Sequence, residues 1–220
     1  MTSRDVTQKN TGTDKAFRVT KVPSTFKASD VQDVLCPQSP VTVLIGSLAP
    51  EADSFDSISY QVATAMFKPL DAPFLDLRPD RPMQCTYRDI MGQSGFVIVD
   101  CSFPGLTTLA SPRLKSEIIM EYVFLPCPLI PELNNIPLSL IAVTGLNGHP
   151  FASWKEKDGN FMWLRDGLPQ ALPNTRIMTY GYNSRLSGSA SFASISDYGK
   201  SLLASVVSTR ATPEESPTPQ

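Results

Sequence analysis

The residues best placed to do chemistry lie in one stretch, LSLIAVTGLNGHPFASW, from Leu138 to Trp154. An apolar run ends in Gly145-Leu146-Asn147-Gly148, and His149, the only histidine in 220 residues, follows directly. Strand, tight loop and helix in that order is how α/β proteins bring backbone beside a ligand. The loop is not a dinucleotide fingerprint, because Asn147 stands where the second glycine is needed and the third is missing. Gly199-Lys200-Ser201 has the tail of a phosphate-binding loop, but Ser194 occupies the position of its first glycine. Nucleotide binding at the glycine-rich turn is therefore a remote reading. The plainest reading of the turn itself is a strand-to-helix connection with glycines at special dihedrals.

Acyl transfer would need a serine nucleophile at a G-x-S-x-G elbow, then an acid and a histidine in that chain order. No G-x-S-x-G occurs. In GQSGF (Gly92 to Phe96) the second glycine comes one place early, and SGSAS (Ser187 to Ser191) lacks the downstream glycine. His149 precedes any nucleophile the order allows, so it reads as a residue that orders the turn and not as a general base. A serine without a base keeps its proton and is a poor nucleophile at neutral pH.

Metal chemistry has as little to work with. The four cysteines (Cys36, Cys85, Cys101, Cys127) form no C-x-x-C and have one histidine for company, so no zinc site and no cofactor site is expected. A net charge of -2 gives no electrostatic reason to expect nucleic acid or an anionic membrane as partner. No apolar stretch is long enough to span a bilayer, and the polar start MTSRDVTQKNTGTDK has no secretory core, so the expected location is cytoplasmic. With 41% hydrophobic residues the chain can bury a core, although 20 prolines is high for a compact fold.

The elements that must position these groups follow from periodicity. Residues 1–14 read as a disordered leader. AFRVTKVP suggests a strand, ASDVQDVLC a helix capped by Ser29, and VTVLIGSLAP and SISYQVATAMFK two more strands. That β-α-β-β order over residues 15–70 points to a small split α/β module of the kind RNA-recognition modules use. Arg18 follows Phe17 in the first strand and QVATAMF fills the third, so the base-stacking aromatics are missing and a structural role is expected. Residues 71–137 read as linker and irregular β-containing chain, the proline- and charge-rich linker over 71–90, then a buried strand in GFVIVDCSF and a turn at Pro104-Gly105. From Leu138 to 210 the pattern is strand, loop, a helix over FMWLRDGLPQAL with its aromatics buried, a strand over TRIMTYGY, and a last helix. That helix has a capping box in Ser194 and Asp197 and an apolar face of Ile195, Tyr198, Leu202, Leu203 and Val206. Residues 211–220 read as a disordered tail.

Gly145-Leu146-Asn147-Gly148-His149, Met162-Trp163-Leu164-Arg165-Asp166, Leu172-Pro173 and Arg176-Ile177-Met178-Thr179-Tyr180-Gly181-Tyr182 carry a resemblance. In that order they resemble the serine esterase/lipase-like α/β-hydrolase domain found near the N-terminus of many fungal NOD-like receptor proteins. There it precedes a NACHT module and C-terminal repeats. Cys101 to Pro112 is similar to the segment just upstream in that family, and Phe17 to Phe67 looks like the small module such proteins often carry first. Residues 113–137 match nothing in it and read as an insertion or retained intron sequence.

The resemblance implies an incomplete parallel hydrolase-like sheet, with the N–H groups of Leu146 and Asn147 as oxyanion donors and Gly145 and Gly148 shaping the loop. It also implies that the nucleophile elbow should follow the Ile195–Arg210 helix, where this chain turns into ATPEESPTPQ. The expectation is a fragment truncated before its nucleophile and inactive by itself, acting on lipid or ester substrates only if extended. The alternative is a non-catalytic docking protein that associates with itself or a relative through its exposed sheet edge.

Overall fold

The computed structural model describes residues 15–37, 42–52, 60–68, 77–89, 92–112, 138–157, 159–184 and 194–209. The leader, the 113–137 stretch with Cys127, the SGSAS loop and the tail lie outside the described residues. What is described is an α/β arrangement of two sheets carrying helices.

The first sheet is antiparallel throughout, with strand order β2-β3-β1-β5-β4. Its strands are β1 (Ala16–Pro23), β2 (Thr42–Pro50), β3 (Tyr60–Lys68), β4 (Met83–Arg88) and β5 (Ser94–Asp100), with α1 (Ala28–Leu35) between β1 and β2. Because β3 lies between β1 and β2, those two run parallel in a split β-α-β unit. Alternation sends Phe17 and Val19 to the α1 side, where they meet Val31, Leu35, Ala63, Ala65, Phe67, Val97 and Val99. Burying Val31 and Leu35, one turn apart on α1, contributes about 1.5–3 kcal/mol each.

Two bulges keep the alternation in phase. The register of β1 shifts between Val19 and Val22, with Lys21 at φ 57° and its N–H donating to the Glu51 carboxylate at 2.8 Å. The shift in β2 falls between Ile45 and Ser47. Each extra residue returns the next apolar side chain, Val22 or Leu48, to the α1 side.

Three expectations are corrected here. The helix cap lies at Lys27, whose N–H donates to the Asp30 carboxylate at 2.7 Å, so Ser29 falls inside the first turn. The supposed linker ends in a strand: Met83, Cys85 and Tyr87 pack on the core while Gln84, Thr86 and Arg88 face outward. The module boundary at residue 70 also fails, since Val97 and Val99 of β5 complete the α1-side core.

The second sheet has the order β6-β8-β7, formed by β6 (Gly105–Ala110), β7 (Leu138–Val143) and β8 (Thr175–Gly181). It is mixed, not parallel: β7 runs with β8, but β6, which follows β5 after Cys101 to Pro104, runs against it. On one face Phe103, Phe151, Met162, Leu164 and Ile177 pack together. These come partly from the β7–β8 crossover, where a single widened turn (Trp163–Gly167) runs into the short α2 (Leu168–Ala171). On the other face Leu106, Met178 and Tyr180 meet Leu202 of α3 (Ile195–Ser208).

The Ser194–Asp197 capping box of α3 is present, but its inward face is narrower than the sequence suggests. Tyr198, Leu202 and Val206, spaced i, i+4, i+8, turn toward the sheet, while Ile195 is 80% exposed and Leu203 58%. One helix on one sheet buries a single stripe, and five apolar residues span a wider arc than that. No described helix is long and apolar enough to cross a membrane.

The face of the first sheet opposite α1 is closed by the second sheet. Ala49, Val62, Thr64 and Met66 are buried there, and β6 lies against β2 and β3. Arg18 points the same way: Nε donates to Asp100 Oδ2 at 2.7 Å, and Nη1 donates to the Pro104 carbonyl and to Thr107 Oγ1 at 3.3 Å. Both charges are almost wholly out of water, so removing one leaves the other uncompensated.

Arg18→Met is therefore expected to cost about 3–5 kcal/mol of unfolding free energy in urea. Both tryptophans of the chain, Trp154 and Trp163, belong to the second sheet's crossover, so their fluorescence reports on that sheet. Their transition in the variant should move together with the far-UV circular dichroism; a shift confined to one probe would show two independent units.

Candidate functional site

Because β7 and β8 are parallel and paired from Leu138↔Thr175 to Val143↔Tyr180, their carboxyl ends open side by side. Ligands in open α/β sheets bind at such ends. The loop Gly145 to Gly148 leaves β7 there, and the residues after β8 hold it. Asn147 N–H donates to the Ser184 carbonyl at 2.7 Å, Ser184 Oγ to the Gly148 carbonyl at 2.6 Å, and Tyr182 Oη to the Thr144 carbonyl at 2.9 Å. Thr179, inside β8, reaches the Pro150 carbonyl at 2.7 Å.

These bonds revise the loop's expected donors. Asn147 N–H is committed to Ser184 and Gly148 N–H to the Gly145 carbonyl at 3.1 Å. Of the two oxyanion donors implied by the resemblance, Leu146 alone has an N–H with no partner among the described residues, and its side chain is 55% exposed. The special dihedral belongs to Asn147, at φ 59°, and not to the glycines beside it. Asparagine is among the non-glycine residues that adopt this region most readily. A Cβ on Gly145 would meet nothing, whereas one on Gly148 would sit 2.9 Å from both the Gly145 oxygen and Thr144 Cβ. Close approach, not dihedral freedom, is what calls for glycine at 148.

His149 orders the turn. Its Nδ1 accepts from the N–H groups of Phe151 at 3.1 Å and Ala152 at 3.2 Å, which fixes Nε2 as the protonated nitrogen. Nε2 lies 3.0 Å from the Cys101 carbonyl and donates to it across to the β5–β6 connection. The imidazole also meets the Phe103 ring edge-on at 5.5 Å. Phe103 is fully buried with φ 52°, an unfavourable conformation for a bulky residue, and its N–H donates to Asp100 Oδ1 at 2.7 Å. Its carbonyl lies where a Cβ of Gly181 would be, so β8 passes flush against this connection.

The crossover aromatics are less buried than expected. Met162 is enclosed, but Phe161 and Trp163 are about half exposed, with Trp154 and Trp163 edge-on at 6.0 Å. The turn is held instead by charge. Arg165 donates to Asp166 Oδ1 and Oδ2 at 2.6 Å each, and Asp166 Oδ2 also accepts from Met162 N–H at 2.8 Å. Arg165 lies over the Phe151 ring, with Nη1 against Gly46 of the β2 bulge. Partial burial pushes the Asp166 carboxyl up, but the Arg165 and Met162 hydrogen bonds and the Arg165 charge outweigh it and hold it below the ordinary carboxylate value.

Ser94, the serine of GQSGF, opens β5 in the first sheet, on different elements from the glycine loop. Among the described residues no group of three His, Cys, Asp or Glu side chains could hold a metal ion. The sequence reading missed Ser184, Tyr182 and the Arg18–Asp100 pair. The last had a visible signal, since an arginine inside the apolar AFRVT strand must find a buried partner.

Gly148→Ala is expected to lower stability by roughly 1–3 kcal/mol, whereas Gly145→Ala should change it by about 0.5 kcal/mol or less, both read by urea unfolding. For Asp166 the folded carboxyl is the stronger acid, so its contribution is present above the ordinary carboxylate value and lost as pH falls toward the folded one. Asp166→Asn should therefore cost roughly 1 kcal/mol at neutral pH, and unfolding across a pH series should show a flatter acid limb than wild type.

In comparison with known proteins, the chain matches no family model, no curated protein and no solved structure.

Proposed function

We propose that this chain is a hydrolase-type scaffold that does not hydrolyse esters by itself. In this reading residues 138–210 are a partial serine esterase/lipase-like α/β-hydrolase domain of the fungal NOD-like receptor type, and the first sheet derives from a small split α/β module of the RNA-recognition kind. The glycine loop at the paired carboxyl ends of β7 and β8 supports the hydrolase ancestry. One observation carries the inactivity: both nitrogens of His149, the only imidazole in the sequence, are committed to backbone groups. A histidine so held does not take a proton from a serine.

A second reading, docking, is favoured by the surface. Val143 and Leu146 are exposed at the end of β7, and β7 has no neighbour on its outer side among the described residues. An unpaired edge of this kind can accept another strand.

Both readings are tested on one preparation. Against p-nitrophenyl butyrate the chain should match the buffer blank, and a fluorophosphonate probe should leave no serine adduct; an adduct mapped to one serine would overturn the proposal. Sedimentation velocity on the same sample should show self-association that Val143→Lys weakens if the edge docks, and a concentration-independent monomer if it does not.

A further inference from the structure

We infer that His149 is an acid-responsive latch joining the glycine loop to the exit of β5. The inference rests on hydrogen-bond inventory and not on the hydrolase reading. A neutral imidazole has one donor and one acceptor, and here each has a fixed task. Nδ1 accepts from Phe151 and Ala152, which starts the short turn at Ala152–Trp154, and Nε2–H donates to the Cys101 carbonyl. A protonated imidazole has two donors and no acceptor. Its Nδ1–H would then face two N–H groups, and the ring could not stay where it is. Acidification thus breaks the start of the turn and, as the ring leaves, the bond to Cys101.

Among the described residues the charged ring finds little compensation. On the β5–β6 connection the nearest titratable groups are the Cys101 thiol, which donates to the Leu77 carbonyl, and Asp100, already engaged by Arg18 and by the N–H groups of Ser102 and Phe103. On the turn side Ser153 Oγ accepts from the His149 N–H, and Lys155 is the first charged residue. The segment after β8 contributes the Tyr182 hydroxyl, which is directed at Thr144. The glycine loop itself has no charged residue. The Phe103 ring covers the remaining side edge-on.

The sequence makes the test clean, because a chain with one histidine gives one imidazole signal. The full chain, labelled with ¹⁵N, should show the Nε2–H tautomer at neutral pH; the Nδ1–H tautomer would overturn the inference. Amide exchange, corrected for its intrinsic pH dependence, is then followed as pH is lowered. Protection at Phe151 and Ala152 should fall by roughly tenfold or more, while amides inside β8 keep theirs. His149→Asn supplies the control: its Oδ1 takes the place of the Nδ1 acceptor and does not titrate, so its Phe151 and Ala152 protection should stay flat. The latch is wrong if wild type and His149→Asn share one profile, or if Phe151 and Ala152 lose protection only in step with β8.

Discussion

The Arg18–Asp100 ion pair is the constraint from which the rest of the arrangement follows. Asp100 has more to do than neutralise a guanidinium. While Oδ2 faces Arg18, Oδ1 accepts from Ser102 and Phe103, and so shapes the connection between the two sheets. That grip keeps Phe103 in the left-handed region, against its own preference. From there its ring supports His149 and Phe151, and its carbonyl lies against Gly181 at the end of β8. The guanidinium reaches beyond the carboxylate to Pro104 and Thr107, on the first residues of the second sheet. One buried pair thus sets the path of the chain between sheets and, through Phe103, the seat of the glycine loop.

The loop itself is fixed from three directions. Tyr182 and Ser184 hold it from the exit of β8, His149 from its own carboxyl side, and Cys101 through His149 from the first sheet. Rigidity of this kind suits a backbone donor whose use depends on position. It also gives each imidazole nitrogen a structural task, one toward the Ala152–Trp154 turn and one toward Cys101. Arg165 plays the matching part in the crossover, where it bonds Asp166 on its own turn and lies against Gly46 of the first sheet.

How much of this could be read beforehand depends on the range of the interaction. The strands around Phe17, Ala65, Leu140 and Ile177 were legible because alternation and apolar runs are local signals. So was the Ser194–Asp197 cap, which is complete within four residues. Met83 to Arg88 was not, because prolines just before it and alternating charge suggested a linker, and only its pairing with β5 makes it a strand. The mixed second sheet was illegible for the same reason, since the direction of β6 shows only in its pairing with β8 and not in its composition. At the loop, the glycines and His149 stood out by type. Which N–H groups remain available was decided by the distant Ser184, whose carbonyl takes the Asn147 N–H. No spacing rule reaches that far.

The 82-residue separation of Arg18 and Asp100 also has a consequence for the order of synthesis. At about 5–20 residues per second, β1 emerges roughly 4–16 seconds before β5, its partner on one side. Through that interval an arginine destined for burial stays hydrated, and Phe17 and Val19 have only part of their cover. The nascent chain therefore carries a half-built first sheet whose open edge and uncovered face cannot close until Asp100 and the second sheet have followed. Closure of the amino-terminal half thus waits on the synthesis of β5.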